Sequence, residues 1–177
     1  MKQQLPFKYS YKVTDTFYAG EYPFKPSPEE GIPKLNSLIN FGITTIIDLT
    51  SEPEQLTPYD EHLPDTCIRF HFPTNDYTCP DFSTLNEIHS IIDKAGGRDE
   101  KIYVHCKGGY DRTGVVVATY FVHAGLSPLE AKQKFYEVFV PPVRGRYPHR
   151  PLIETTWKIL GQYQEWLRNT THETGCR

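Results

Sequence analysis

No stretch of the 177-residue sequence approaches the length of apolar chain needed to cross a bilayer. Met1 to Lys12 contains no apolar run of the kind a signal peptide needs. Four cysteines at 67, 79, 106 and 176 form no Cys-x-x-Cys and no regular spacing, which argues against a disulfide framework and for free thiols. No Cys/His pair has the spacing of zinc ligands, so the expectation is a chain without a metal or other cofactor. Internal repeats, biased tracts and linkers rich in Gly or Ser are also missing. With a formal charge of −3, nothing draws the whole molecule towards nucleic acid or an acidic surface, so any anion site must be local. These absences leave a cytoplasmic protein as the expectation, with one domain over residues 1–177 and its core at about 11–168; a monomer is expected besides, though composition does not decide it. The twelve tyrosines read as core and rim material.

What is present is a run of strand-like and helix-like segments in alternation. Phe17 to Gly20 reads as a short strand. Ser27-Pro28-Glu29-Glu30 combines an N-cap, a proline at the first helical position and a glutamate at the third, and predicts a helix up to Phe41. Ile43 to Leu49 is β-branched and nearly continuous, as in a buried strand, and Cys67 to Phe72 alternates as a second strand. A helix is predicted over 81–94, then a strand at Lys101 to His105 and an apolar helix from Val115 to Ala124. Ser127-Pro128-Leu129-Glu130 opens a further helix to about Phe139, and a last one covers Leu152 to Arg168. The alternation predicts an α/β fold with a central, largely parallel sheet flanked by helices. Ligands in such sheets bind at the carboxyl ends of strands, and the segment after Val104 has that address.

That segment reads His105-Cys106-Lys107-Gly108-Gly109-Tyr110-Asp111-Arg112-Thr113-Gly114. Gly108 and Gly109 permit a tight turn with inward-pointing N–H groups, and the following helix adds its positive end. A cysteine beside such a cradle favours the thiolate. Arg112 offers a planar fork that matches two phosphate oxygens. The Thr113 hydroxyl is expected to hydrogen-bond the Cys106 sulfur. Lys107, Gly108, Gly109, Tyr110, Asp111 and Gly114 complete the expected substrate-binding loop. No Walker A pattern is present, and the Arg-Thr-Gly ending points away from rhodanese-like sulfur transfer.

The pattern His-Cys-x-x-Gly-x-x-Arg-Thr-Gly resembles the signature of the protein tyrosine phosphatase superfamily, and more closely its compact dual-specificity-like branch. Tyr18-Ala19-Gly20-Glu21-Tyr22-Pro23 and Ile47-Asp48-Leu49-Thr50 look like a small group within that branch. The resemblance implies hydrolysis of phosphate monoesters through a phosphocysteine at Cys106, with protein phosphotyrosine, and phosphoserine or phosphothreonine besides, as substrates. Lys107 and Asp111 keep a phosphoinositide or inositol phosphate as the alternative, and a phosphate-binding adaptor without activity is a third reading. The resemblance also implies an aspartate acid about thirty residues before the cysteine. Asp76 fits, following Pro73 at the family's Pro-x-x-Asp spacing. Asp81 is the rival best read as a helix N-cap. Asp111 is the other, either sharing the proton transfer or turned outwards to pair with a cation.

Other side chains have lesser expectations. Gln162 and Gln164 are candidates for placing a water. His105 is read as bonding the loop backbone, and His71, His89, His123 and His149 as structural. Arg144, Arg146 and Arg150 form a basic cluster that is either solvated or meets a second phosphate or an acidic partner. Cys67 or Cys79 could form a reversible disulfide with Cys106.

Overall fold

The structure is a computed structural model that describes residues 4–76, 78–139 and 151–174. Five strands run β1 (Ser10–Lys12), β2 (Phe17–Gly20), β3 (Ile43–Asp48), β4 (Ile68–His71) and β5 (Lys101–His105). Their order across the sheet is β1-β2-β5-β3-β4. β1 pairs antiparallel with β2, and every other pairing is parallel. The α/β expectation therefore holds, with β1 as a three-residue addition that the sequence did not suggest. Helices α1 (Pro28–Asn40), α2 (Phe82–Gly97), α3 (Asp111–His123), α4 (Pro128–Val138) and α5 (Pro151–Thr174) lie between or after the strands.

Alternation along the strands divides the core into two clusters, one on each face of the sheet. Phe17, Ala19, Ile47, Ile102 and Val104 pack with α2, α3, α4 and α5. Tyr18, Ile43, Ile46 and Tyr103 pack with Leu35 and Leu38 of α1 on the other face. α3 is buried nearly all round, which its run Gly114-Val115-Val116-Val117-Ala118 already required.

Helix starts follow their capping residues closely. Asp81 is the N-cap of α2 and accepts from the Thr84 amide at 2.7 Å, as its reading as a helix N-cap expected. Ser127 and Glu130 form the reciprocal capping box of α4. Ser27 occupies the N-cap of α1 with Pro28 behind it, but its hydroxyl does not cap the helix.

One difference from expectation concerns β4. Its alternating sequence suggested one buried face, yet Ile68 is 58% and Phe70 37% exposed. β4 is the sheet's edge, and α2 packs more closely on β5, so it covers β4 only in part.

Candidate active site

β5 lies at the centre of the sheet between β2 and β3, and its carboxyl end runs straight into Cys106. The loop ends in α3, whose first residues are Asp111, Arg112 and Thr113. Cys106 thus sits beneath a helix N-terminus, at the position where a sheet of this kind collects anions.

Two glycines set the loop's shape. Gly109 has φ +67°, and a Cβ there would overlap the backbone of Gly20 and Glu21. Gly20 is itself hemmed in by the Tyr103 hydroxyl and the backbone of Tyr9 and Ser10. The Tyr22 amide donates to the Lys107 carbonyl at 3.2 Å, tying the end of β2 to the loop. Gly108 does not share this constraint, because an added Cβ there meets nothing within 4 Å. Gly114 lies inside α3 beside the Phe135 ring. Lys107 is exposed on the rim, and Tyr110 packs edge-on against Phe139.

Arg112 is only 1% exposed, and its guanidinium is fixed from several sides. Nη1 and Nη2 donate to the two carboxylate oxygens of Glu54 at 2.5 and 2.9 Å. Nη1 also donates to the carbonyls of Leu49 (3.2 Å) and Thr74 (2.9 Å). Nη2 lies 3.5 Å from Oδ1 of Asp76, whose side chain is 44% exposed. Nε of Arg112 and Oγ1 of Thr113 are buried without a hydrogen-bond partner among the described residues. The expected bond from Thr113 to the Cys106 sulfur is therefore not formed in this structure.

Glu54 is a residue that the sequence did not point to as part of the site. Burial alone would raise its carboxyl, but Arg112, the Ser51 amide and Lys107 more than offset this and hold it below its ordinary value. It ends a short 3₁₀ turn (Glu52–Glu54) capped reciprocally by Ser51. The pattern Ser51-Glu52-Pro53-Glu54 just past a strand's carboxyl end was the available signal.

Behind the loop is a buried polar layer. His105 is fully buried, with Nε2 2.7 Å from the Tyr59 hydroxyl and Nδ1 3.4 Å from the Cys106 carbonyl oxygen. Burial lowers its pKa to about 4, so at neutral pH it is an uncharged bridge between Tyr59 and the loop backbone. Its 3.8 Å approach to Asp48 is then a polar contact, and Asp48 is balanced instead by Arg69 at 2.7 Å. Thr50 donates twice more to Asp48, through its amide and its hydroxyl, at 2.7 and 2.6 Å.

Asp111 is only 5% exposed, so its carboxylate is not turned out into solvent. Cys67 belongs to the core cluster on the opposite face of the sheet from Cys106. Burial pushes its thiol up to about 11, and that of Cys79, on the same face as Cys106, to about 12. Neither is poised to ionise as a partner for Cys106. His71 bonds the Thr50 carbonyl, His89 the Tyr163 hydroxyl, and His123 pairs with Asp93. Gln162 and Gln164 lie on α5. His149, Cys176 and the cluster of Arg144, Arg146 and Arg150 lie outside the described residues.

Known proteins share sequence and fold with this chain. The chain is 28% identical over 171 residues to 067L of Invertebrate iridescent virus 3, whose name is that of a tyrosine phosphatase; the match takes in 93% of this chain and 62% of the viral protein. It is 26% identical to the phosphatidylglycerophosphate phosphatase PTPMT1 of Arabidopsis thaliana, over 92% of this chain and 44% of that one. The chain thus spans less than two thirds of the length of these relatives. Among solved structures, PTPMT1 superposes with a TM-score of 0.71 at 19% identity, covering 93% of this chain and 99% of the other. Tk-PTP in its active form superposes at 0.70 and 20% identity, covering 88% and 96%. At such identities the superpositions establish the fold. The family itself follows from the sequence match over residues 26–126, more than half of the 177. The chain belongs to the family described as Tc-R-P, the DSP-PTPase phosphatases of polymorphic toxin systems.

Proposed function

We propose that the chain hydrolyses phosphate monoesters through a phosphocysteine on Cys106, with phosphotyrosine in proteins as its leading substrate. The supporting observation is the state of Arg112. Its two Nη atoms are held by Glu54 and by main-chain carbonyls, while its buried Nε has no partner among the described residues. A cation immobilised in this way, beside a helix N-terminus and a cysteine, fits an oxyanion at that nitrogen.

In the first step the Cys106 thiolate attacks phosphorus in line, so that the S–P bond forms as the bond to the leaving oxygen breaks. Loop N–H groups and Arg112 bear the spread negative charge. Asp76 gives its proton to the departing oxygen. In the second step water attacks phosphorus, the P–S bond breaks, and the water's proton passes to Asp76. Thr113 would donate its hydroxyl to the returning thiolate. Lys107, Gly108, Gly109, Tyr110, Asp111 and Gly114 shape the rest of the cradle. Asp76 stands at the mouth of the site and is half exposed, which suits a group that must release a proton to substrate and take one from water.

Two observations favour a second substrate class. PTPMT1 of Arabidopsis thaliana is named for phosphatidylglycerophosphate, and another PTPMT1 structure is a complex with PI(5)P. Lys107, exposed on the rim, could meet a further phosphate of such a headgroup. A phosphate-binding adaptor is the third reading. The chain is inferred to act in the cytoplasm; among the described residues no helix is long and apolar enough to cross a membrane.

The test is hydrolysis of phosphopeptides and of soluble phosphoinositides at matched concentrations, with EDTA present. A higher kcat/KM on phosphotyrosine peptides is expected. Preference for the lipid headgroups would move the substrate to the second class, and binding without turnover of either would support the adaptor.

A further inference from the structure

The sheet's free edge carries features that the phosphatase reading does not use. Among the described residues β4 has a neighbour on one side only, and Ile68 and Phe70 are left 58% and 37% exposed. Both side chains stand on the α2 face, where β4, Thr45, Ile91 and Ala95 form the floor of a groove of about 560 Å³. Glu87 and Lys94 stand on its helical rim, exposed and without ion-pair partners among the described residues. They are seven positions, or about two helical turns, apart on one face of α2.

The backbone of β4 is equally uneven in its pairing. The Phe72 amide donates to the Asp48 carbonyl at 2.8 Å, so the even-numbered residues turn their peptide groups towards β3. Arg69 and His71 therefore present N–H and C=O groups to the open edge. A strand edge with free peptide groups is a template for a further strand.

We infer that this edge is the interface of a symmetric dimer in which β4 of one copy pairs antiparallel with β4 of a second copy of the chain. A twofold axis perpendicular to the sheet and passing beside Phe70 sets Arg69 opposite His71 of the second copy, and the reverse. Each of these pairs exchanges two main-chain hydrogen bonds. Phe70 meets its own counterpart as the non-hydrogen-bonded pair, in which side chains are closest, and Ile68 closes over it. The same axis runs the two α2 helices antiparallel on one face. That sets Glu87 opposite Lys94 of the second copy twice, with Ser90 and Ile91 between them. The choice of a second copy rests on this charge pattern, in which an acid and a base at mirrored positions complement themselves. The result is a ten-stranded sheet in place of the monomer expected from the sequence, with both Cys106 loops left open.

The test is the mass of the full chain in solution, followed by sedimentation over a range of concentrations that brackets about 10 μM, a usual strength for a modest interface. Wild type is expected to dimerise, and Phe70→Glu to weaken the dimer by a factor of about thirty or more. Glu87→Lys alone should weaken it several-fold, and Glu87→Lys with Lys94→Glu should restore it. That restoration keeps the test decisive if the Phe70 variant fails to fold. A wild type that is monomeric throughout the range, whether its groove stays open or accepts some other peptide, overturns the inference. So does a dimer that neither substitution weakens.

Discussion

Both carboxylate oxygens of Glu54 grip Arg112, which lies 58 positions later in the chain, and hold its Nη atoms in one plane. The pair is nearly dry, with side-chain exposures of 2% and 8%. Glu54 thereby fixes where Nε, the guanidinium nitrogen with no partner among the described residues, can stand. A buried pair of this kind contributes little net stability, but losing one member leaves an uncompensated charge.

Glu54→Gln should therefore cost more in catalysis than its distance in sequence suggests. We expect kcat/KM to fall by about one to two orders of magnitude, with a loss of about 1–3 kcal/mol in folding stability. Steady-state kinetics and urea denaturation measure the two effects separately. Unchanged kcat/KM would mean that Arg112 is placed by its carbonyl contacts alone.

The assignment of the acid predicts a dependence on the leaving group. Asp76→Asn should lower turnover of phosphotyrosine by about 10²–10⁴-fold and that of an activated aryl phosphate much less. Asp111→Asn is the comparison, since Asp111 is buried in the first turn of α3. An unaffected Asp76 variant beside a crippled Asp111 variant reverses the assignment.

The two loop glycines should respond differently to alanine. Gly109→Ala places a side chain at φ +67° and against Gly20, costing on the order of 1–3 kcal/mol and displacing the loop. Gly108→Ala meets open space and should leave the melting temperature nearly unchanged. Equal effects of the two on melting would contradict the described loop path.

Acid should weaken the fold through its buried histidines. Burial depresses His105 to about 4 and His89 to about 3, from an ordinary 6.5. Between these values the unfolded chain binds protons that the folded one refuses. Stability is therefore full above about pH 6.5 and falls as pH drops towards 4 for His105 and towards 3 for His89, by up to about 1.4 kcal/mol per histidine per pH unit. Urea titrations at several pH values measure this slope, and His89→Gln should remove its share of it. A flat profile from pH 7 to 5 would show that these imidazoles are not excluded from protonation.

The sequence made the centre of the candidate site legible because local signals coincide there. A β-branched strand, glycines and an apolar helix bracket Cys106, and only five residues separate it from Arg112. The caps at Asp81 and Ser127 were equally local. The Ser51-to-Glu54 pattern marks a turn, but Glu54's bond to Arg112 was not legible, since it comes from packing against a residue on a different element. Arg69 and Tyr59 behind the loop escaped notice for the same reason, and Asp48 was noticed only as part of Ile47-Asp48-Leu49-Thr50, without its role there. β1 has three residues and, among the described residues, pairs only with β2, too little for any periodicity to show. The exposure of β4 depends on how far α2 extends over the sheet, which no residue in β4 records.

The central claim is that Cys106 carries the phosphoryl group. Rapid acid quenching of the Asp76→Asn enzyme during turnover of an aryl phosphate in EDTA, followed by intact mass and peptide mapping, tests it most directly. The account predicts a mass increase of one phosphoryl group on the peptide containing Cys106, and no such adduct or turnover with Cys106→Ser. Turnover retained by Cys106→Ser, or a phosphoryl group mapped to another side chain, would contradict it.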